Sequence, residues 1–166
     1  MRKLCSVNTG RASLLLPILV LMACVDGVTG PSRGVIATSY LGTNFTTTSS
    51  GGQDTDQLAA GSTLSITLNA DGTTSGHLHV AASATDPVFD ADLAGTWTLN
   101  GSTVNITTAA DTFIRNMPFT AITVTSGGGE FAVLAGDEVF SGTRIQLTLS
   151  PISVLSTPFS RAVPSP

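Results

Sequence analysis

The chain has 166 residues, the length of one domain, with 42% apolar residues, 11% charged residues and a formal charge of −4. Its apolar share excludes a highly charged disordered polymer, and its acidic balance excludes a protein that neutralises a row of nucleic-acid phosphates. Twenty-five threonines and 17 glycines point to an all-β protein, because a β-branched side chain suits a pleated, half-exposed surface.

The first segment reads as an export address. Residues 1–11 carry Arg2, Lys3 and Arg11 and no acid, residues 12–22 are an apolar run containing Pro17, and Ala23 and Cys24 follow. This is the layout of a signal peptide, and the run is shorter than the about 20 residues that span a bilayer. Leu21-Met22-Ala23-Cys24 resembles the lipobox of bacterial lipoproteins. An ordinary cleavage site fits less well, since Leu21 is large where such a site takes a small residue. The resemblance implies removal of residues 1–23 and attachment of acyl chains to the Cys24 thiol. Of the two cysteines, Cys5 would leave with the signal, so Cys24 has no partner for a disulfide. Each buried methylene contributes about 0.8 kcal/mol, so two or three chains hold firmly where one holds marginally.

From Cys24 onward the chain keeps eleven acids against four arginines and no lysine, a formal charge of −7. Such a body is not drawn to anionic lipid, and the acyl anchor alone must supply membrane attachment. Val25, rather than an Asp after the cysteine, points by the same resemblance to the outer membrane, facing the periplasm or the cell surface.

Residues 24–34 read as a flexible tether, and 35–150 as the folded domain. Residues 35–48, rich in Val, Ile, Thr, Tyr and Phe, read as one long or two short strands. Residues 49–55 read as a polar loop. Segments 63–69 and 73–81 form a first hairpin. A three-residue loop with Gly72 in the left-handed region sets Leu64 opposite Leu78 and keeps Leu64, Ile66, Leu78 and Val80 on one apolar face. Ser65, Thr67, His77 and His79 then face outward. Residues 82–93 read as a looser connection containing Pro87. Segments 94–99 and 102–108 form a second hairpin. A two-residue turn centred on Asn100-Gly101 sets Trp97 opposite Val104, Gly95 opposite Ile106 and Leu99 opposite Ser102. Segments 118–125, 130–135 and 143–149 are further strands, the first two parted by Gly127-Gly128-Gly129. Residues 151–166 read as a Pro-rich, disordered tail, since Pro151, Pro158, Pro164 and Pro166 deny it a ladder. The sharper alternative is a tail packed through Ile152, Leu155 and Phe159.

Short strands joined by tight turns imply an up-and-down antiparallel meander closing into a small barrel, with a β-sandwich as the alternative. The stretch from Gly61 to Gly72, followed by Leu93-Ala-Gly-Thr-Trp-Thr-Leu-Asn-Gly-Ser-Thr-Val-Asn-Ile106, resembles the small bacterial lipocalin-like lipoproteins. The resemblance covers about residues 35–149. It implies an eight-stranded barrel, or a flattened relative of one, that binds or shields apolar molecules. It carries over no functional residue.

Few residues suggest chemistry. His77 and His79 share one strand face and offer two imidazoles to a metal, though two solvated histidines are the commoner meaning of such a pair. Asp54, Asp56, Asp86, Asp90 and Asp92 read as solvated turn carboxylates, without the Asp-x-Asp-x-Asp-Gly pattern of a calcium loop. No Gly-x-Ser-x-Gly elbow occurs. Tyr40, Trp97 and Phe119 are weak candidates for a ligand box and better candidates for core. The sequence thus suggests a non-enzymatic envelope lipoprotein with no cofactor. Its partners would be the membrane, through Cys24, and a small apolar ligand or an envelope protein. The rivals are a structural or interaction module with a filled core and, least favoured, a hydrolase.

Overall fold

The computed structural model describes residues 30–84, 86–126 and 128–155. The signal segment, Cys24 and the tail beyond residue 155 lie outside the described residues.

Among the described residues, eight strands close an antiparallel up-and-down barrel, not a sandwich. They are β1 (Ser39–Thr48), β3 (Thr63–Leu68), β4 (Thr73–Val80), β6 (Gly95–Asn100), β7 (Thr103–Thr108), β8 (Pro118–Ser126), β9 (Gly129–Phe140) and β10 (Thr143–Pro151). Closure comes from β10 pairing with β1, from Tyr40 opposite Pro151 to Thr48 opposite Arg144. A short strand β2 (Asp54–Asp56) lies on β1, and β5 (Phe89–Asp92) lies on β4. The helices α1 (Arg33–Ile36) and α2 (Ile152–Leu155) have one turn each.

The first hairpin has the expected register. Leu64 faces Leu78, Ser65 faces His77, and Gly72 has φ 93°. Leu64, Ile66 and Leu78 are buried and Val80 half-buried. The second hairpin has the expected faces and a different register. Trp97 lies opposite Ile106, and Asn100 opposite Thr103. The turn is centred on Gly101-Ser102, two positions away in register from the expected pairing. Gly101 has φ 61°, while Asn100 and Ser102 keep negative φ. This is the type II′ arrangement, with glycine alone in the positive region, and it spares Asn100 that conformation. A two-residue shift leaves every side chain on its own face.

Other boundaries differ for physical reasons. Residues 33–36 form α1 where a tether and then a strand were expected, and Pro31 and Ile36 are buried. The expected loose connection 82–93 contains β5, which continues on β4 in the register of β6. β5 and β6 are thus one ladder, interrupted at Leu93-Ala94, and Pro87 lies before it. β9 runs five residues past the expected end at 135. Gly136 looks like a strand break, but it faces inward, and a Cβ there would overlap the Met117 side chain. Its missing side chain makes room for Met117. Pro151 closes the β10 ladder rather than leaving it, which a terminal strand position allows. Ile152 is exposed, and the Leu155 side chain and Phe159 of the packed-tail alternative lie outside the described residues.

The interior is filled. One cluster includes Tyr40, Phe45, Leu68, Trp97, Phe119, Leu134 and Leu147, each at 2% exposure or less. The connection from β7 to β8 adds Phe113, Ile114 and Met117 to it through a 3-10 turn (Phe113–Asn116). One end of the barrel is sealed by α1. The Arg33 guanidinium stacks over the Trp97 ring 4.5 Å from its centroid and donates from Nε to the Ala70 carbonyl. Trp97 Nε1 donates to the Asn69 carbonyl at 2.8 Å, and the Tyr40 hydroxyl donates to the Ile36 carbonyl at 2.9 Å.

Trp97→Ala is expected to cost about 3–5 kcal/mol in a denaturant melt. A Cβ at Gly101 meets nothing within 4 Å, so Gly101→Val should lose only the strain of its positive φ, about 1–3 kcal/mol. A near-wild-type melt for Trp97→Ala would contradict the filled interior.

Candidate functional site

The unsealed end of the barrel holds a pocket of about 400 Å³. Its apolar wall comes from Phe45 of β1, Val80 of β4, Phe89 of β5, Phe113, Phe140 of β9 and Ile145 of β10. The strand ladders explain why it opens there. β7 ends at Thr108, while β8 begins with Pro118 opposite Asn105. β8 is absent beyond that level and β7 beyond Thr108, so the wall is open between β5, which pairs with β4, and the upper part of β9. The 109–117 connection drops into the gap. Its Phe113 ring lies 5.4 Å from that of Phe45 and forms the pocket floor.

Two features distinguish this pocket from a filled barrel end. Phe89 is 44% exposed and Val88 51% exposed, so apolar surface stands open at the rim. Thr112, 2% exposed and part of the pocket wall, carries the one buried side-chain polar atom without a hydrogen-bond partner among the described residues, its Oγ1. An unpartnered buried hydroxyl costs about 1–3 kcal/mol, and few buried polar groups in native proteins are left so.

A larger depression, about 650 Å³, lies on the outer wall around Asn44, Thr120, Asp137 and Gln146. It is polar, and Asp137 there is already held by the Arg144 fork and by Gln146. Tyr40, Trp97 and Phe119 lie in the core, at 2% exposure or less. None of them lines the mouth pocket. The pocket instead uses phenylalanines that an argument from strand pairs does not single out. The available signal was the connection 109–117, where Phe113, Ile114 and Met117 occupy a stretch with no strand alternation. A connection that apolar has to be buried somewhere.

His77 and His79 project from the outer face of β4, as the hairpin parity requires. Asp90 and Asp92, expected in a loop, stand on β5 directly opposite. His77 Nε2 lies 3.2 Å from Asp90 Oδ1 and Nδ1 lies 3.3 Å from Asp92 Oδ1, while His79 Nδ1 lies 2.8 Å from Asp90 Oδ1. An ionised carboxylate only accepts, so both contacts are hydrogen bonds only when the ring is protonated and donates from both nitrogens. Hydrogen bonds donated to Asp92 and then to Asp90 hold the His77 pKa above its ordinary value of 6.5. His79 and His77 hold the Asp90 carboxyl below its usual range. The four side chains clasp β5 to β4. No group of three or more His, Cys, Asp or Glu among the described residues has a geometry that could hold a metal ion. Of the other carboxylates, Asp54 accepts from the Thr48 hydroxyl, Asp56 from the Ala59 amide, and Asp86 from the Ser83 hydroxyl.

No protein-family model matches this chain, and no curated protein or solved structure is similar to it. The fold and the geometry of the pocket therefore carry the functional reading.

The clasp has a pH signature. A raised imidazole pKa stabilises the fold fully below the ordinary value of 6.5, and that stabilisation is lost as pH rises through the raised one. NMR titration of His77 should give a pKa above that of a free imidazole, returning toward it in Asp92→Asn. An ordinary value in the wild type would rule out the double carboxylate contact.

Proposed function

We propose that this protein is a non-enzymatic, membrane-anchored lipoprotein of the bacterial cell envelope whose barrel, of lipocalin-like build, binds a small apolar molecule at its mouth. The observation that carries the binding reading is the open pocket of about 400 Å³, walled by four phenylalanines above a filled core. Small-molecule sites are concave, mostly apolar and of about 300–1,000 Å³, with a few polar groups that set orientation. Gln57, Thr47 and the carboxylates of Asp86 and Asp111 line this pocket among the apolar side chains. The ligand would sit at the rim and not in the lumen, because the lumen is occupied by the protein's own side chains.

The anchor and the pocket fit one orientation. The described chain enters at Gly30, beside the Gly101 turn, and β10 ends opposite Tyr40 at that same end. Cys24 precedes Gly30 by six residues, a span of at most about 21 Å when extended. An acylated Cys24 would then hold the sealed end toward the bilayer and point the mouth into the aqueous compartment. Among the described residues no helix is long and apolar enough to cross a membrane.

The filled core favours a second reading, an interaction module without a ligand, and one assay separates the two. Purified protein should bind the neutral dye N-phenyl-1-naphthylamine with one site and enhanced fluorescence. Phe89→Ala, at a rim position, should weaken that binding several-fold with a near-wild-type melt. Absence of any dye binding would leave the interaction module. Lipidation has its own check. A palmitate analogue fed to a bacterial host should label the wild type and not Cys24→Ser, and equal labelling of both would remove the anchor.

A further inference from the structure

We infer that the mouth pocket selects by charge, taking a neutral or cationic apolar molecule and rejecting an anionic one of the same shape. The inference rests on the binding reading above and narrows its ligand class. The pocket wall itself includes two carboxylates, Asp86 and Asp111, and no basic residue. The surrounding half of the barrel adds Asp54 and Asp56 on β2, Asp90 on β5 and Glu138 on β9.

Every described arginine is already engaged. Arg33 stacks on Trp97 at the sealed end, Arg144 forks onto Asp137, and Arg115 lies 3.8 Å from Asp111. The described residues contain no lysine. A carboxylate, sulfonate or phosphate head group entering the mouth meets a net negative charge, and the cations nearest to it, Arg115 and His77, already face carboxylates. A cleft lined by one sign of charge with apolar walls focuses such a field. The apolar body of the ligand would lie against Phe45, Phe89, Phe113 and Phe140.

The test uses two dyes on one anilinonaphthalene scaffold, neutral N-phenyl-1-naphthylamine and anionic 8-anilinonaphthalene-1-sulfonate. At low salt the wild type should bind the neutral dye at least tenfold more tightly. The neutral dye is also the more apolar of the two, so the decisive readout is how that ratio changes. In Asp86→Asn/Asp111→Asn it should fall at least threefold. It should fall likewise in the unaltered protein as salt is raised from about 0.01 M to about 1 M, which shortens the screening length from about 30 Å to about 3 Å. Binding of the anionic dye as tight as the neutral one, or a ratio indifferent to both salt and substitution, overturns the charge selection and leaves the pocket reading standing. Failure of the neutral dye to bind at all overturns both.

Discussion

A barrel of eight short strands encloses a lumen that side chains can just fill, and here the connection from β7 to β8 completes the filling. Phe113, Ile114 and Met117 leave the wall and join the core. Three further features depend on that one move. Gly136 must lack a side chain, because Met117 occupies its inward space. β7 and β8 are both short at the mouth end, so the ladder is open there between β5 and β9. The pocket must be shallow, because its floor is Phe113 rather than the far end of the lumen. Burying those side chains adds about 1.5–3 kcal/mol for each large one, and the same burial denies the barrel an internal ligand cavity.

The two ends of the barrel differ in kind. At one end the polar groups of the large closing side chains are paired. The Trp97 indole donates to a turn carbonyl, the Tyr40 hydroxyl to α1, and Arg33 covers the ring. At the other end phenylalanine edges face water, a threonine hydroxyl is unpartnered and carboxylates surround the opening. The His77–Asp90–Asp92 clasp belongs to this second end, since it ties down the strand that carries Phe89. A surface cluster of this kind contributes little to global stability. Its consequence is local, in the position of β5 beside the pocket.

Much of the frame was legible in the sequence, because strand faces follow parity. Leu64 with Leu78, and the buried Trp97, Val104 and Ile106 set, could be read from alternation and from glycine turns. The register of the second hairpin could not, since Asn-Gly suits a turn centre and Gly-Ser suits another, and both leave the same faces inward. β5 was hidden because Phe-Asp-Ala-Asp alternates with its apolar residue at an edge and carries two acids. Those acids are explained only by the histidines opposite, which are 11 to 15 residues away in sequence. The pocket was least legible. Its walls come from six separate segments, and the aromatic residues that alternation favours, Tyr40, Trp97 and Phe119, are the ones the core consumes.

The account places any bound apolar molecule on top of the plugged lumen rather than inside it. Intermolecular NOEs between N-phenyl-1-naphthylamine and methyl-labelled protein test that most directly. Contacts from the dye to the methyls of Val80 and Ile145, which line the mouth, are the predicted result. Contacts to Ile106 and Leu134, buried in the barrel core, would contradict it by showing that the lumen opens to admit the ligand.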